Sequence, residues 1–543
     1  MKKLNLLLVF FFVGNVLFAQ KTSIEVSGSI SDNTVWSTDT VKIIGDVTLE
    51  AGINLTIEPG VLIEFQNNYD MLILGQIVAV GQENDSIKFT ALNHETGWGT
   101  INFTQENTST ENDSTKFHYC IFEYSVTDGQ NKGAVRVREF QYIEVLNSCF
   151  RHNRIPEEWG QMHVFGSSLF CVDSEMKIVN SKFYDNVSPI VFDGNSADDY
   201  YPIFENNIVE NNWNGTIIIR SGIDPIIRGN YIANNSNNYG YSGCFGAAID
   251  VGYFSGALIE NNIIYNNEAT HCGAIYTNGD GTTIFNNIIV NNLSDNEGGA
   301  IYLYYCDDVK ISNNLICNNT SKQGGGIYFE SSNNCIVTNN HIANNYATQF
   351  AGALYFVASS PSLYNNIIYN NEAPYYNGSQ IVLEDYGFES DPSFYNNDIE
   401  GGFDDFYLLI GNYDGTYEFN IDEIPQFINP TTGTGYEHNA LNADWTLQIT
   451  SECINNGVID TTGLHIPEFD LAQNPRIFGN RIDMGAYEDQ TQILLKDVGL
   501  YDFQILKYCK PGTVLTPTVV VTNTGVESIT EPFDVSLQIG DFT

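Results

Sequence analysis

Apolar residues in this chain fall in runs of three to five, either alternating with polar residues or fully apolar, and each run is fenced by Asn or Gly. Between residues 205 and 397 one phrase recurs: NNIVENN at 206–212, NNIIYNN at 261–267, NNIIVNN at 286–292, NNLICNN at 313–319, NNHIANN at 339–345 and NNIIYNN at 365–371. The last five start 25, 27, 26 and 26 residues apart. A second phrase alternates with it, CGAIY at 272–276, GGAIY at 298–302, GGGIY at 324–328 and AGALY at 351–355. The runs are too short and too regularly interrupted for helices, and they read as strands punctuated by turns.

Two phase-locked phrases with one period define one structural unit, repeated. A unit of this size with two or three short strands predicts one coil of a parallel β-solenoid, in which each turn of chain returns one strand spacing higher, about 4.8 Å. Equivalent residues then stack in columns. The corner asparagines Asn211, Asn266, Asn291, Asn318, Asn344 and Asn370 are expected to adopt left-handed backbone and to hydrogen-bond to their neighbours above and below. Less regular segments, NSCFRHN at 147–153, NSKFYDN at 180–186 and strands around Val135, Phe170, Ile190, Ile217 and Ile249, extend the coils toward the N-terminus.

With these motifs the chain resembles the secreted right-handed parallel β-helix repeat proteins of Gram-negative bacteria. Residues 44–103 (IGDVTLEAGINLTIEPGVLIEF, LILGQIVAVGQENDSIKFTA, GWGTINF) look like that family's opening coils, and 425–488 (PQFINP, DWTLQITSECINNG, NPRIFGNRIDMGAYE) are similar to the closing segment of its choice-of-anchor subgroup. The GGAIY phrase also resembles repeats of β-helical surface adhesins. The resemblance implies fold and export and brings no catalytic residue with it. Residues 497–535, with alternating strands and Pro/Gly turns, look like the first half of an immunoglobulin-like adhesion module. The expected organisation is a signal peptide at 1–19, an N-terminal cap with the first coils at 20–118, regular coils at 119–400, closing coils and a C-terminal cap at 401–490, and at 491–543 an incomplete immunoglobulin-like domain, as in a chain cut short at Thr543. The fold class is all-β: a right-handed parallel β-helix followed by a partial immunoglobulin-like sandwich.

Charge narrows the partners. The 543 residues carry 66 acidic against 22 basic side chains, a formal net charge of −44, which excludes a phosphate-backbone partner, since nucleic acids are bound through Lys/Arg patches. The start MKKLNLLLVFFFVGNVLFAQ has the basic, apolar and small-residue order of a secretory leader cleaved near Ala19/Gln20, and no later run is long enough for a membrane span. An extracellular or outer cell-surface location follows. The ten cysteines contain no CxxC pair, so they are expected as buried small hydrophobes or an occasional disulfide between coils.

Candidate chemistry lies in the outward columns of the GxIY strand. With the aliphatic residue as position zero, positions zero and two point inward and positions one and three outward. Position one reads Arg136, Cys171, Val191, Ile218, Asp250, Tyr276, Tyr302, Tyr328, Tyr355. The four tyrosines predict an exposed aromatic strip; it either contacts sugar rings or only stabilises neighbouring strands. Position three reads Arg138, Asp173, Asp193, Arg220, Gly252, Asn278, Tyr304, Glu330, Val357. Two carboxylates on adjacent coils between two arginines are the makings of a retaining glycosidase pair, or simply a ladder of complementary charges. The long corner RHNRIPEEWGQMH at 151–163, with Arg151, His152, Arg154, Glu157, Glu158, Trp159 and His163, is placed over that strip, and Trp159 joins the candidate glycan contacts.

No cofactor is expected and no metal site is assigned. Asp280, Asp307, Asp308 and Glu330 offer oxygen ligands for Ca²⁺ but match no defined calcium loop. From 206 to 401 the basic residues are Arg220, Arg228, Lys310 and Lys322, with His271 and His341, too few for a polyuronate groove without metal. Three functions remain open: non-enzymatic binding of an extracellular polysaccharide or matrix glycan; a polysaccharide lyase or glycoside hydrolase with its site at Arg138, Asp173, Asp193 and Arg220; and a structural stalk.

Overall fold

The computed structural model of the protein describes residues 22–104, 115–127, 133–140, 142–155, 166–194, 200–237, 245–374, 379–479, 481–490, 498–504, 518–523 and 529. Its strands pair in parallel into a 28-stranded and a 15-stranded sheet, with a narrow five-stranded one beside them. The larger sheet is two columns joined at one end, where Ser23–Ile30 and Thr40–Leu49 run through both. The result is a three-faced solenoid, as the repeat predicts. One coil shows the plan: Thr283–Phe285 on the first face, Ile288–Val290 on the second, the short Leu293–Ser294, then Ile301–Tyr304 on the third.

The inward columns are as expected. Ile275, Ile301, Ile327 and Leu354 stack at position zero of the third face and Leu303, Phe329 and Phe356 at position two, all wholly buried in one continuous core. Each coil buries only a small aliphatic set, so a coil is stable only between neighbours.

The corners bear out part of the sequence reading: Asn266 donates to Asn234 and Asn370 to Asn344 across neighbouring coils, at 2.7 and 2.8 Å. Asn211, Asn266, Asn291, Asn318, Asn344 and Asn370 do take left-handed backbone, φ 53–59°. The interior ladder, however, belongs to the residue that follows each of them. Asn292 donates Nδ2 to the carbonyls of Ile264 and Val290 and to Oδ1 of Asn319, whose Oδ1 also accepts the Asn292 backbone N–H at 2.9 Å. A second ladder through Asn262, Asn287, Asn314, Asn340 and Asn366 lines the corner between the first and second faces. A left-handed residue turns its own side chain outward and delivers the next one into the bore, where its amide satisfies the carbonyls that the turn frees from the sheet. The doubled Asn of the sequence phrase is one residue for each job.

Residues 401–421 complete the last coil, with Tyr407–Ile410 on Ile381–Glu384 and Tyr417–Glu418 on Ser393–Tyr395. The chain then turns back: residues 425–490 lie along the outside of the second face. There Phe427, Trp445, Cys453 and Met484 form a second apolar cluster with Val290, Leu315, Cys317, Ala343 and Ile367. This is why strands such as IIV and LIC are apolar at every position: both of their surfaces are covered. At the end of this segment Arg476, 1% exposed, is ion-paired with Glu488 at 2.6 Å.

The eight described cysteines are free thiols, seven of them buried. Val498–Gln504 and Thr518–Asn523 pair antiparallel; the rest of the expected immunoglobulin-like segment and the leader at 1–19 lie outside the described residues. Among the described residues no helix is long and apolar enough to cross a membrane.

Candidate functional site on the third face

The third face shifts the expected carboxylate column. Val135–Arg138 pairs with Leu169–Val172 so that Arg138 stands beside Val172, which in turn stands beside Asp193. Asp173 is therefore not at position three, and Cys171 points inward instead of out. Asp173 is the corner residue after the strand, in left-handed backbone at φ 43°, buried, with its N–H on the Asp193 carbonyl at 3.1 Å. The slip arises because this strand starts one residue earlier than the GxIY alignment implies, and a one-residue shift exchanges inside for outside. Arg138 is removed from the site as well: it is half exposed and donates Nε to the adjacent Glu139 at 3.1 Å.

Asp193 and Arg220 stand in register on adjacent coils. Burial raises the Asp193 carboxyl above the ordinary aspartate range, Asp173 adds to the rise, and Ser221, Arg220 and the Gly194 N–H oppose it. Beside Arg220 the next two coils carry no side chain at Gly252 and only Asn278, which leaves an open depression of about 680 Å³. Its floor is Arg220, Asp250 and Tyr276, and its rim is Phe245, Tyr253 and Phe254. Asp250 is held by the backbone N–H groups of Phe245 and Gly246 at 2.5 and 3.2 Å. Phe254 is 88% exposed, on left-handed backbone.

The tyrosine column is not an exposed strip. Tyr276, Tyr302, Tyr328 and Tyr355 are stacked at position one with ring centroids 5.0–5.4 Å apart, yet only 1–7% of each is exposed. Phe245, Tyr304, Phe350 and Tyr407 pack against them. Tyr302 donates to Glu330 at 2.6 Å and Tyr355 to Glu384 at 2.5 Å. Aromatic rings and partly buried hydroxyls satisfy one another here, so the column is a small core of its own, and Tyr276 alone reaches the depression.

Of the 151–163 corner, residues 156–163 lie outside the described residues, and Glu157, Glu158, Trp159 and His163 with them. Cys149–Arg151 belongs to the second face, where Arg151 bonds Glu123 at 2.7 Å and Tyr184 at 2.9 Å. Among the described residues there is no group of three or more His, Cys, Asp or Glu placed to hold a metal ion. Asp280 and Asp307 instead cap the backbone of the next coil, accepting from the N–H groups of Asp307 and Asn333. Sequence reasoning singled out Arg220 and Tyr276 and passed over Asp250, Tyr253 and Phe254. The signal was the GYFSG corner, two aromatics in a glycine-flanked turn.

The model of the right-handed β-helix region family matches residues 135–294 and 273–421, more than half of the chain. The chain belongs to the right-handed β-helix family. No curated protein sequence matches it closely enough to count as a relative. Among solved structures this β-helix protein is similar to the periplasmic alginate epimerase AlgG (14% identity over 71% of this chain and 76% of that one, TM-score 0.24). It is also similar to the A-module of the Azotobacter vinelandii mannuronan C-5 epimerase AlgE4 (14%, 70% and 88%, TM-score 0.26). A PL6 alginate lyase in complex with a trisaccharide is a third (12%, 76% and 86%, TM-score 0.33). These are likenesses of fold, and no residue role passes from them to this chain.

Proposed function

We propose that this β-helix protein is exported and binds an extracellular polysaccharide, without turning it over, at the depression above Arg220. The observation that supports this is the pair Tyr253 and Phe254 at the rim of an open hollow whose lining offers the guanidinium of Arg220, the carboxylate of Asp250 and the amide of Asn278. Exposed aromatic faces take the apolar faces of sugar rings, while a few fixed polar groups meet the hydroxyls. The secretory leader read from residues 1–19 puts the protein where such polymers are found. Retention of the purified protein on immobilised polysaccharides tests the reading: Tyr253→Ala/Phe254→Ala and Arg220→Ala each lose retention while keeping the unfolding midpoint. Retention unchanged in both variants would overturn it.

A second reading, polysaccharide cleavage, is favoured by Asp193. Its raised carboxyl, beside Arg220 and under the influence of Asp173, has the character of a general acid. Release of reducing or unsaturated ends from a polysaccharide, abolished in Asp193→Asn, would replace binding with catalysis.

A further inference from the structure

The corners between the third and first faces follow one another up the solenoid, and aromatic residues stand out from three of them. The first corner carries Tyr253 and Phe254, the second after that Tyr305, and the third beyond it Tyr386 and Phe388. Tyr305 is 52% exposed, Tyr386 73% and Phe388 77%. The strands leading into these corners, from Ile249–Val251 to Ile381–Glu384, are separated by five coil steps, so the row is about 24 Å long at ~4.8 Å per step.

Their backbone is a second, independent sign. Phe254 and Tyr305 adopt left-handed φ, 60° and 49°, a conformation that bulky residues seldom take. At the same corner of other coils the left-handed residue is small or polar, as at Ser221, Ser331 and Ala358. Phe254 is almost wholly exposed, and Tyr305 rests only its edge on Tyr304, with ring centroids 4.7 Å apart, and leaves half its surface to solvent. Strain kept at exposed aromatic positions marks a surface retained for a partner.

The charge of the edge chooses the partner. Its six corners contain Asp280, Asp307, Asp308, Asp385, Glu389 and Asp391 and no Lys or Arg. A polyuronate, a sulfated glycan or a nucleic acid would meet like charge along the row. Resting on the glycan-binding reading above, we infer that this edge binds a neutral linear polysaccharide running parallel to the solenoid axis, from the depression at Phe254 past Tyr305 to Phe388. One coil step is close to the advance of one pyranose in an extended chain, so the three aromatic stations meet rings two and five residues on from the first.

The test titrates the full chain with hydroxyethylcellulose, glucomannan and xylan, with polygalacturonate and alginate as anionic counterparts, and with a neutral trisaccharide against longer oligomers. Affinity for a neutral polymer is expected to exceed that for the polyuronates and to rise with length until the row is spanned. Tyr386→Ala/Phe388→Ala is expected to lower polymer affinity about tenfold and to leave the trisaccharide unaffected, with an unchanged unfolding midpoint. Preference for a polyuronate, or full polymer affinity in that variant while Tyr253→Ala/Phe254→Ala still abolishes binding, overturns the extended row and leaves the depression standing. No binding to any polysaccharide overturns both.

Discussion

Asn291 donates its side-chain amide to the backbone carbonyl of His438, 147 residues further along the chain, at 2.7 Å. On the next two coils Asn318 reaches the Gly433 carbonyl at 2.8 Å and Asn344 the Thr431 carbonyl at 3.0 Å. The outward column of corner asparagines is thus a clasp for the returning segment, while the inward column holds the bore.

The apolar anchor of that segment is Trp445, 1% exposed, with its ring edge-on to Phe427 and its Nε1 on the Ala440 carbonyl at 3.3 Å. Trp445→Ala is expected to cost about 3–5 kcal/mol and to expose residues 425–490 to protease before the coils. Urea unfolding with limited proteolysis measures both; a loss under about 1 kcal/mol would show that the segment is not held by this core.

The two asparagine columns should differ sharply. Asn319 donates to Ile289, Cys317 and Asn345 and accepts from Asn292, all in the interior. Asn319→Ala leaves several buried groups unpaired at about 1–3 kcal/mol each. Asn266→Ala removes one exposed bond, to Asn234 at 2.7 Å, and should stay within about 0.5 kcal/mol of the parent. Equal losses in denaturant midpoint would contradict the assignment of the interior ladder.

Asp398 makes stability fall toward alkaline pH. It is wholly buried between the last coils and the returning segment, accepting from the Glu423 N–H at 3.0 Å and the Cys453 thiol at 3.1 Å. Burial raises its carboxyl to about 7, against about 4 in an unfolded chain. The folded state therefore holds this proton more tightly, so the stabilisation is complete below about pH 4, declines as pH rises toward 7 and is gone above it. Burial raises Asp483 and Glu488 in the same sense, whereas burial lowers His341 to about 3 and removes stability as pH falls below about 6.5. Asp398→Asn should abolish its own share, a decline of about 3 kcal/mol between pH 4.5 and 8, leaving the opposing His341 slope in place. Parallel parent and variant stability curves would refute the attribution.

Tyr302 is expected to matter for folding and not for glycan. Tyr302→Ala opens a cavity in the tyrosine column and strips Glu330 of its donor, at a cost of about 3–5 kcal/mol. At a temperature where the variant stays folded, its retention on polysaccharide should equal the parent's. Lost retention with an unchanged midpoint would return this column to the binding surface.

Solenoid, period and inward columns were legible because each depends on local spacing: Ile275, Ile301, Ile327 and Leu354 announce themselves at intervals of 26, 26 and 27 residues. Outward positions were not, because exposure depends on what lies across them. Nothing in GGAIY reveals that Phe350 and Tyr407 close over Tyr355, or that residues 425–490 fold back over Val290 and Cys317. Asp173 shows a different limit. Its coil keeps only Gly166 of the glycine phrase, followed by two serines, so the local spacing does not fix whether the strand starts at Leu169 or Phe170.

The returning segment also sets how the molecule bears load. Near its end the Ala486 N–H meets Nδ1 of His341 at 2.6 Å, and Gly485 and Val458 both bond Asn365, so a pull on the chain beyond Gln490 is delivered to the flank of the stack, short of its last coil. Tension then acts as shear across many clasped bonds at once, where a solenoid pulled from its tip would peel open one coil at a time.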